Sequence, residues 1–394
     1  MRRGVGLTAA VLIAATGTAC ASSGSGGSGA SAPGVTSTTV TIGTSNALTG
    51  TNSASCSVAS KGEQAWIDYV NANGGINGRK IKVNVIDDGF TPARAVANAK
   101  TFINQPVFAV VGGCGTATAD AAYPVLNSAG VPFLFPYASI ASMVQPPKKY
   151  VYSFLPLYQD QDKAIISADL PKYGPGSVYF IAGSIPGIDQ VEADSKAAVL
   201  AAGGTWAGGD VVTIGTADFT PYVLRLKAAK PDYVMVESTG SDSARIVNAM
   251  VQNNALPTKR ILGVSILADR SFTNNIPAAA QNLLSIVAPT PPAGTDKSKQ
   301  CEDVFSKYAP DMVGVTNAVF GCAQAQAFVA ALKAAGPNPT RDGLINALNA
   351  MKNVNAGNAL PPLTFTADNH VGASSLFILG YAGGKWSFDG TAGL

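Results

Sequence analysis

The sequence predicts an α/β protein with two parallel sheets in tandem. Short β-rich segments alternate with segments that carry apolar residues at helical spacing, a pattern typical of right-handed βαβ units. Residues 108–112 form a continuous apolar run, as expected of a strand buried on both faces of a parallel sheet. About 355 residues follow an N-terminal stretch of low complexity, which is more than one simple core accommodates. We therefore expect two lobes.

The first series of strands and helices runs from residue 40 to residue 135. Within it, residues 80–87 alternate apolar and polar side chains as a half-buried strand does, and Pro92 begins a helix. The predicted strands cover residues 40–45, 80–87, 108–112 and 131–135. The predicted helices cover residues 62–73, 92–104 and 118–129, and the first of them ends in a turn rich in glycine and asparagine at residues 73–78.

A second series follows an extended segment at residues 150–156. Its predicted helices cover residues 160–172, 188–202, 222–229 and 242–254. Its predicted strands cover residues 177–182, 211–212, 233–237, 260–264 and 283–287. Residues 299–351 are predicted to be helical, and two extended segments follow at residues 363–365 and 376–381. This last part must return to cover one of the two sheets.

The N-terminus has the organisation of a secretory signal. Two arginines precede a short apolar run, residues 4–16, and the small residues after it end in Cys20. The run is too short for a transmembrane helix. Either Cys20 is the attachment point of a lipid, as in a bacterial lipoprotein, or the signal is cut at a neighbouring alanine and Cys20 is incidental. We expect a signal with a lipid-attachment motif at residues 1–20 and a flexible Gly/Ser tether at residues 21–38.

Composition argues against several functional classes. The 27 basic residues fall to 25 once the two arginines of the signal are removed, against 24 acidic residues, so no basic face for nucleic acid is expected. No later segment has the ~20 consecutive apolar residues of a membrane span. The single histidine, His370, lies in a predicted turn, so metal sites and histidine-based catalysis have little support. We expect no metal, no cofactor and no nucleic-acid partner.

Five cysteines in an exported chain favour disulfides. If Cys20 carries a lipid, four cysteines remain, and four allow three pairings. Proximity along the chain and the expected lobes favour Cys56–Cys114 and Cys301–Cys322. The alternative is that these four are buried free thiols. The chain has no CxxC motif, so zinc binding and thioredoxin-type chemistry lack support.

Glycine and small hydroxylated residues follow most of the predicted strands. Ligands of parallel sheets bind at the carboxyl ends of strands, where backbone N–H groups of glycine loops can hold anions or polar groups. The alternative is that these glycines only make tight turns. Such ends occur at residues 48–50, 112–116, 136–139, 183–187, 237–240 and 265–266. Their number, on two sheets, favours a ligand-binding cleft.

Three groups of residues carry a resemblance to a known family. The first is GGINGRK at residues 74–80 with the acidic pair at 87–88. The second is VGGCGTAT at 111–118 with AGVP at 129–132 and PYAS at 136–139. The third is DFTPY at 218–222 with AAKPDYV at 228–234. In this order, over residues 40–381, they resemble the branched-chain amino-acid type of solute-binding protein of ABC importers.

The resemblance implies a type I periplasmic-binding fold, in which two Rossmann-like lobes with parallel sheets close over a ligand by a hinge motion. Three crossover hinge segments join the lobes, and we place them near Phe154, Ala288 and Thr364. The first lobe is expected to comprise residues 39–154 plus 289–364, and the second lobe residues 155–288 plus 365–394.

The resemblance also implies which residues bind the ligand. First-lobe hydroxyl and backbone groups that hold a carboxylate in the family correspond to Gly115, Thr116, Ala138 and Ser139. Together with residues at the other strand ends, the predicted ligand-binding set is Thr49, Gly115, Thr116, Tyr137, Ala138, Ser139, Ile185, Glu237, Thr239 and Ser265.

The second-lobe positions depart from the family pattern. In the family, acidic and aromatic residues there hold an amino-acid ammonium, whereas the corresponding positions here lie near Ile185, Thr239 and Ser265. An ammonium without a buried acid lacks its charge partner, at a cost of several kcal/mol. We therefore expect a small carboxylate- or amide-bearing solute rather than an amino acid, unless Glu237 faces the cleft.

These observations favour a binding module over an enzyme. Residues 112–115 (GGCG) lack the dinucleotide fingerprint, and Cys114 as a nucleophile would have only the remote His370 as a base. We expect an exported monomer, anchored by a lipid at the outer face of the cytoplasmic membrane, that delivers its solute to an ABC permease and ATPase complex. The alternative is a ligand-sensing receptor of the same fold with no transport role.

Overall fold

The computed structural model of the chain describes Met1, Gly4, residues 32–138 and residues 140–394. The predicted signal sequence, the lipid-attachment residue Cys20, most of the predicted tether and Ser139 lie outside these described residues. Within them, no helix is long and apolar enough to cross a bilayer.

Strands and helices alternate along the first two thirds of the chain, as predicted. The strands are β1 (Thr39–Asn46), β2 (Lys80–Asp87), β3 (Ala109–Val111), β4 (Phe133–Leu134), β5 (Val151–Tyr152), β6 (Ser177–Gly183), β7 (Thr205–Val212), β8 (Tyr233–Glu237), β9 (Arg260–Gly263), β10 (Leu284–Ala288), β11 (Ser375–Ala382) and β12 (Lys385–Gly393). The helices are α1 (Ser53–Ala72), α2 (Pro92–Asn104), α3 (Thr116–Ser128), α4 (Ala141–Val144), α5 (Tyr158–Tyr173), α6 (Ile188–Ala201), α7 (Thr220–Ala229), α8 (Gly240–Gln252), α9 (Arg270–Thr273), α10 (Ala278–Gln281), α11 (Lys299–Tyr308), α12 (Thr316–Ala334) and α13 (Arg341–Asn349).

The first sheet is parallel throughout, in the order β2-β1-β3-β4-β5. Its central strand β3 is fully buried because helices cover both faces: α1 and α12 on one side, α2 and α3 on the other. This explains why residues 108–112 read as a continuous apolar run. We call this sheet and the helices packed on it the first lobe.

The second sheet has seven strands in the order β12-β11-β10-β9-β8-β6-β7. Strands β6 to β10 pair in parallel, whereas β11 and β12 extend the edge as an antiparallel hairpin. Helices α5 and α6 pack on one face and α7 and α8 on the other. This sheet and its helices form the second lobe. The two-lobed α/β architecture with parallel sheets is thus confirmed, with an antiparallel hairpin added at one edge.

The C-terminal extended segments differ from the prediction. Residues 363–365 form only isolated bridges, and the partner of β11 is the strand β12, which the sequence analysis missed. The side chains of β12 are largely exposed and mostly polar or small, since it is an edge strand, so it lacks the apolar pattern on which the prediction depended. The hairpin turn is Gly383-Gly384, both at positive φ, which is a recognisable turn signal.

Two other boundaries were wrong. Helix α1 begins at Ser53, not near residue 62, because its first two turns consist mostly of serine and alanine and show little apolar periodicity. Strand β7 begins at Thr205, six residues before the predicted segment, and lies at the other edge of the second sheet, where its side chains are mostly half-exposed.

The chain passes three times between the sheets. It leaves β5 for α5, leaves β10 for α11, and returns to β11 after residues that pair with the end of β5: the N–H of Gly372 donates to Ser153 O, and the N–H of Ser153 donates to His370 O. His370 is buried there, its ring stacked on Tyr152 at 3.9 Å and its Nδ1 3.0 Å from Val151 O. Burial lowers the pKa of this imidazole, which favours its neutral form. The ring therefore has a structural role where the two connecting segments pair.

Candidate functional site

A cavity of about 70 Å³ lies between the carboxyl edges of the two sheets. One water molecule needs roughly 10–15 Å³ by the same measure, so the space suits a small solute. Both lobes line it. The first lobe contributes Asn52, Ser55, Phe90, Cys114, Gly115, Thr116, Ala117 and Tyr137, and the second lobe contributes Tyr158, Gly183, Ile185, Ile214, Glu237, Ser238, Thr239, Val264 and Ile266.

The N-terminus of α3 forms one wall of the cavity. Gly115 precedes the helix at a φ of +118°, and a Cβ there would lie 2.7 Å from the ring of Phe90, so only glycine brings the chain this close. No side chain caps the helix, and the N–H groups of residues 116–118 have no acceptor among the described residues. Free N–H groups at the positive end of a 13-residue helix favour an anionic or carbonyl ligand.

Glu237 stands in the opposite wall, at the end of β8, and is only 7% exposed. Behind it, Asp162 of α5 is fully buried and accepts a hydrogen bond from the hydroxyl of Ser195. Burial and the nearby carboxyl of Asp162 raise the pKa of Glu237 well above its usual range, and burial raises the pKa of Asp162 too. The raised pKa favours the protonated, uncharged form of Glu237 at this wall.

Three sets of hydrogen bonds join the lobes around the cavity. Thr116 Oγ1 lies 3.0 Å from the hydroxyl of Tyr158, and the hydroxyl of Tyr137 donates to Ser265 O at 3.1 Å. The third is centred on Asp269, whose Oδ2 accepts hydrogen bonds from the first-lobe side chains of Ser55 and Asn317. Such bonds hold the lobes together, so the structure represents a closed arrangement.

The disulfide Cys56–Cys114 supports the first-lobe wall. It ties α1 to the loop that precedes α3, with the two Cα atoms 5.5 Å apart, and Cys114 itself lines the cavity. A second disulfide, Cys301–Cys322, joins α11 to α12 behind the sheet. Both pairings agree with the prediction from the sequence.

Comparisons with known proteins decide the family. A family model described as periplasmic binding protein matches residues 39–385. The chain belongs to this family. It is 28% identical over 214 residues to a Leu/Ile/Val-binding protein of Rhizobium johnstonii, a match that covers 50% of this chain and 53% of that protein. The chain thus spans little more than half the length of that curated relative.

Solved structures share this fold at low sequence identity. A fatty acid ABC transporter substrate-binding protein from Thermomonospora curvata superposes with a TM-score of 0.80 at 21% identity, covering 92% of this chain and 94% of that one. A branched-chain amino acid transporter substrate-binding protein from Streptococcus pneumoniae, in complex with isoleucine, gives 0.76 at 18% identity, covering 90% and 99%. The resemblance noted in the sequence is confirmed, while the ligand class varies within the fold.

The cavity brings together six of the predicted ligand-binding residues of this periplasmic binding protein. They are Gly115, Thr116, Tyr137, Ile185, Glu237 and Thr239. The question left open by the sequence, whether Glu237 faces core or cleft, is answered because its side chain lines the cavity. Thr239 also caps α8, its Oγ1 accepting from the N–H of Asp242 at 3.2 Å.

Three other predicted residues lie outside the cavity wall. The hydroxyl of Thr49 donates to Asp87 at 2.6 Å, away from the cavity. Ala138 is buried and does not line the cavity, and Ser265 lies in the sequence between two lining residues without lining the cavity itself. The role of Ser139, which lies outside the described residues, stays a prediction.

The predicted ligand-binding set missed five polar or aromatic residues of the wall: Asn52, Ser55, Phe90, Tyr158 and Ser238, the last of which lies in the strand end at residues 237–240. The first two precede or begin α1, the helix whose start was placed too late. Phe90 follows the acidic pair at residues 87–88, which belonged to the first resembling group and could have drawn attention to it. Tyr158 begins α5, directly after the first passage between lobes, a position from which a side chain readily reaches the cleft.

No group of three or more His, Cys, Asp or Glu side chains in the described part of the chain is arranged to hold a metal ion.

Proposed function

We propose that this protein is an extracytoplasmic solute-binding protein that captures a small carboxylate- or amide-bearing solute between its lobes and delivers it to an ABC importer. The observation that carries the proposal is the cavity between the two sheets, which both lobes line and which the uncapped N-terminus of α3 enters. Membership of the periplasmic binding protein family supports the same class of function.

The first-lobe wall suits a carboxylate or carbonyl oxygen. The N–H groups at the start of α3 and the hydroxyl of Thr116 are donors on one side of the cavity. Thr116 Oγ1 lies 3.0 Å from Tyr158 of the second lobe, so a ligand oxygen held there would contact both lobes at once. The helix terminus would stabilise the negative charge of a carboxylate.

The second-lobe wall supports an acid or amide over a zwitterionic amino acid. Glu237 is its one ionisable carboxyl, and burial together with the carboxyl of Asp162 raises its pKa well above the usual range, which favours the uncharged form. A neutral carboxyl can exchange hydrogen bonds with an amide or a hydroxyl, but it offers no charge to an ammonium. The remaining side chains of this wall are mostly apolar, including Ile185, Ile214 and Ile266.

Capture would proceed by closure of the lobes. We place the lobe boundaries and the hinges as the sequence indicates, with crossovers near Phe154, Ala288 and Thr364. In the open form water would reach the cavity, and in the closed form the bonds of Asp269, Tyr137 and Thr116 between lobes would exclude it. The closed surface would then be the one that the permease and ATPase complex recognises, with Cys20 as the lipid anchor that keeps the protein at the membrane.

Isothermal titration calorimetry with three isosteric probes tests the ligand class. The probes are 3-methylbutanoate, 3-methylbutanamide and valine, which share a branched carbon chain and differ in their polar groups. We expect binding of the first two and much weaker binding of valine. Micromolar binding of valine alone would overturn the class.

The variant Thr116→Val tests the carboxylate wall. Loss of a hydrogen bond to a charged group costs about 1.5–3 kcal/mol, so 3-methylbutanoate should bind roughly ten- to a hundredfold more weakly. Thr101→Val is the matched control, because the Thr101 hydroxyl lies on α2 and bonds only to Ala97 O. Equal affinities of the two variants would contradict the assignment of Thr116.

A further inference from the structure

Asp162 and Glu237 form a buried carboxyl pair at the edge of the cavity. Their side chains lie within hydrogen-bonding reach of each other, Glu237 at the end of β8 and Asp162 on α5. Glu237 lines the cavity, whereas Asp162 stands behind it without lining it. Ser195 of α6 donates its hydroxyl hydrogen to Asp162 Oδ2, which fixes the orientation of that carboxyl group.

One oxygen atom of each carboxyl group has no hydrogen-bond donor. Among the described residues, no N–H or O–H group reaches Asp162 Oδ1 or Glu237 Oε1, and both atoms are buried. Two carboxylates in that position would repel each other and leave two charges unsolvated, at a high cost. The hydrogen that can join these two oxygens is a proton held between the carboxyl groups.

The surroundings supply no counter-charge. Tyr158, on the same helix as Asp162, is the other titratable group that faces Glu237, and burial raises its pKa to about 12, so it is neutral. Helix α6 contributes the neutral Ser195, and the neighbouring strand ends contribute Gly183 and Val264. No lysine or arginine in the described chain forms an ion pair with either carboxyl.

We propose that Asp162 determines ligand selectivity without touching the ligand: it shares a proton with Glu237, so that the single negative charge of the pair lies on Asp162 behind the wall and the carboxyl group that lines the cavity is uncharged. This rests on the proposed function, and it adds the device that excludes an ammonium-bearing ligand. While the proton is held, Glu237 presents an uncharged carboxyl group to a carboxylate- or amide-bearing solute. When the proton is lost at high pH, Glu237 becomes an anion that repels a carboxylate and attracts an ammonium.

Changing Asp162 should therefore invert the selectivity. In Asp162→Asn the neighbouring charge is gone, and the amide can donate to Glu237, which favours its ionised form. Relative to 3-methylbutanoate, valine should gain about tenfold in affinity or more, the factor that one unit of pKa represents. In Glu237→Gln the group is permanently neutral, so 3-methylbutanamide and 3-methylbutanoate should still bind and their affinities should no longer depend on pH.

Calorimetric titrations with the three probes, over roughly one to two pH units on either side of neutrality, would test this. Infrared spectra of the ligand-free protein provide a second, independent measurement. For the wild type, the affinity for 3-methylbutanoate should fall as pH rises. Asp160→Asn is the matched control: it removes a carboxylate from the same helix, and its side chain makes no hydrogen bond to Glu237. It should behave as the wild type does.

The infrared spectrum tests, without any ligand, whether a carboxyl group of the pair is protonated. The wild type at neutral pH should show the carbonyl stretch of a protonated carboxyl group, which Glu237→Gln loses, Asp160→Asn keeps and Asp162→Asn loses at a lower pH than the wild type does. Absence of this band in the wild type, or unchanged selectivity in Asp162→Asn, would overturn the proposal. If none of the probes bound the wild type, the ligand class of the proposed function would be wrong, and so would the selectivity assigned to Asp162. The infrared band would still show whether the two carboxyl groups hold a proton.

Discussion

At the scale of single residues, Asp269 is a buried side chain of one lobe that accepts hydrogen bonds from two side chains of the other lobe. It belongs to the second lobe and is 1% exposed, and its Oδ2 accepts from Ser55 Oγ and from Asn317 Nδ2, the latter at 2.7 Å. Ser55 also lines the cavity, so this contact adjoins the ligand. A buried carboxylate that accepts from both α1 and α12 can act as a latch that forms only when the lobes close.

We expect Asp269→Ala to weaken capture of 3-methylbutanoate through faster release. In the closed form the buried hydroxyl of Ser55 would lose its acceptor and the buried amide of Asn317 would lose one of its two, at about 1–3 kcal/mol each, whereas water would satisfy both groups in the open form. Stopped-flow measurements should show a dissociation rate raised roughly tenfold or more with little change in the association rate. Asp311→Ala, which removes an exposed partner of Lys61, is the control and should leave both rates unchanged.

Individual residues also show where sequence reasoning reached the site and where it stopped. Gly115 and Thr116 could be predicted because a glycine loop before a helix has a defined chemistry. Asp162 could not, since it lies in the middle of a helix and only the fold brings it behind Glu237. The orientation of Glu237 was open in the sequence for the same reason: alternate residues of a strand face opposite sides, and the sheet order decides which side meets the cleft.

At the scale of elements, helices α1 and α12 pack closely at two glycines. A Cβ at Gly321 would lie 1.7 Å from Ala59 O, and a Cβ at Gly62 would lie 2.0 Å from Ala318 O. Both obstacles are backbone atoms, which cannot move as a side chain can. The two glycines therefore determine the distance between these helices, and α1 in turn carries Ser55 to the cavity and Cys56 to its disulfide partner Cys114, which lines the cavity.

Gly321→Ala should destabilise the protein although alanine is the better helix former. The added methyl group must push α12 away from α1, and overpacking of this kind costs about 3 kcal/mol or more where backbone has to shift. Chemical unfolding in urea, with the disulfides intact, measures the change. Gly343→Ala in α13 is the control, because its Cβ would meet only the Thr340 hydroxyl at 3.0 Å, and we expect a change within about 1 kcal/mol. Equal effects of the two substitutions would contradict the packing argument.

Elements were predicted as well as their apolar pattern allowed. The buried strands β3, β6 and β8 and the helices α2 and α7 were placed within a few residues of their observed positions, since both faces or one regular stripe are apolar. The edge strands β7 and β12 were shortened or missed because their exposed side chains carry no such pattern. The start of α1 was missed because its serines contact other protein groups, and these contacts are set by the fold.

At the scale of the whole molecule, the contacts between lobes predict a change of shape on binding. The bonds of Thr116, Tyr137 and Asp269 all join residues of different lobes around one cavity, so they must break before a ligand can enter. We expect them to break by rotation about the three connecting segments, which would be a hinge motion. Without a ligand, the polar groups of the cavity wall gain water in the open form, which favours opening.

Small-angle X-ray scattering of the purified chain should therefore show a smaller radius of gyration when 3-methylbutanoate is present at saturation. The reason is energetic: a solute carboxylate at the N-terminus of α3 satisfies donors that otherwise need water, and it does so only when Tyr158 and Glu237 close over it. The variant Thr116→Val should give the scattering curve of the ligand-free protein when the 3-methylbutanoate concentration saturates the wild type but lies below the Kd of the variant. Identical curves for the wild type, with binding shown by calorimetry, would mean that the lobes are closed before the solute arrives and that the bonds of Asp269 do not act as a latch.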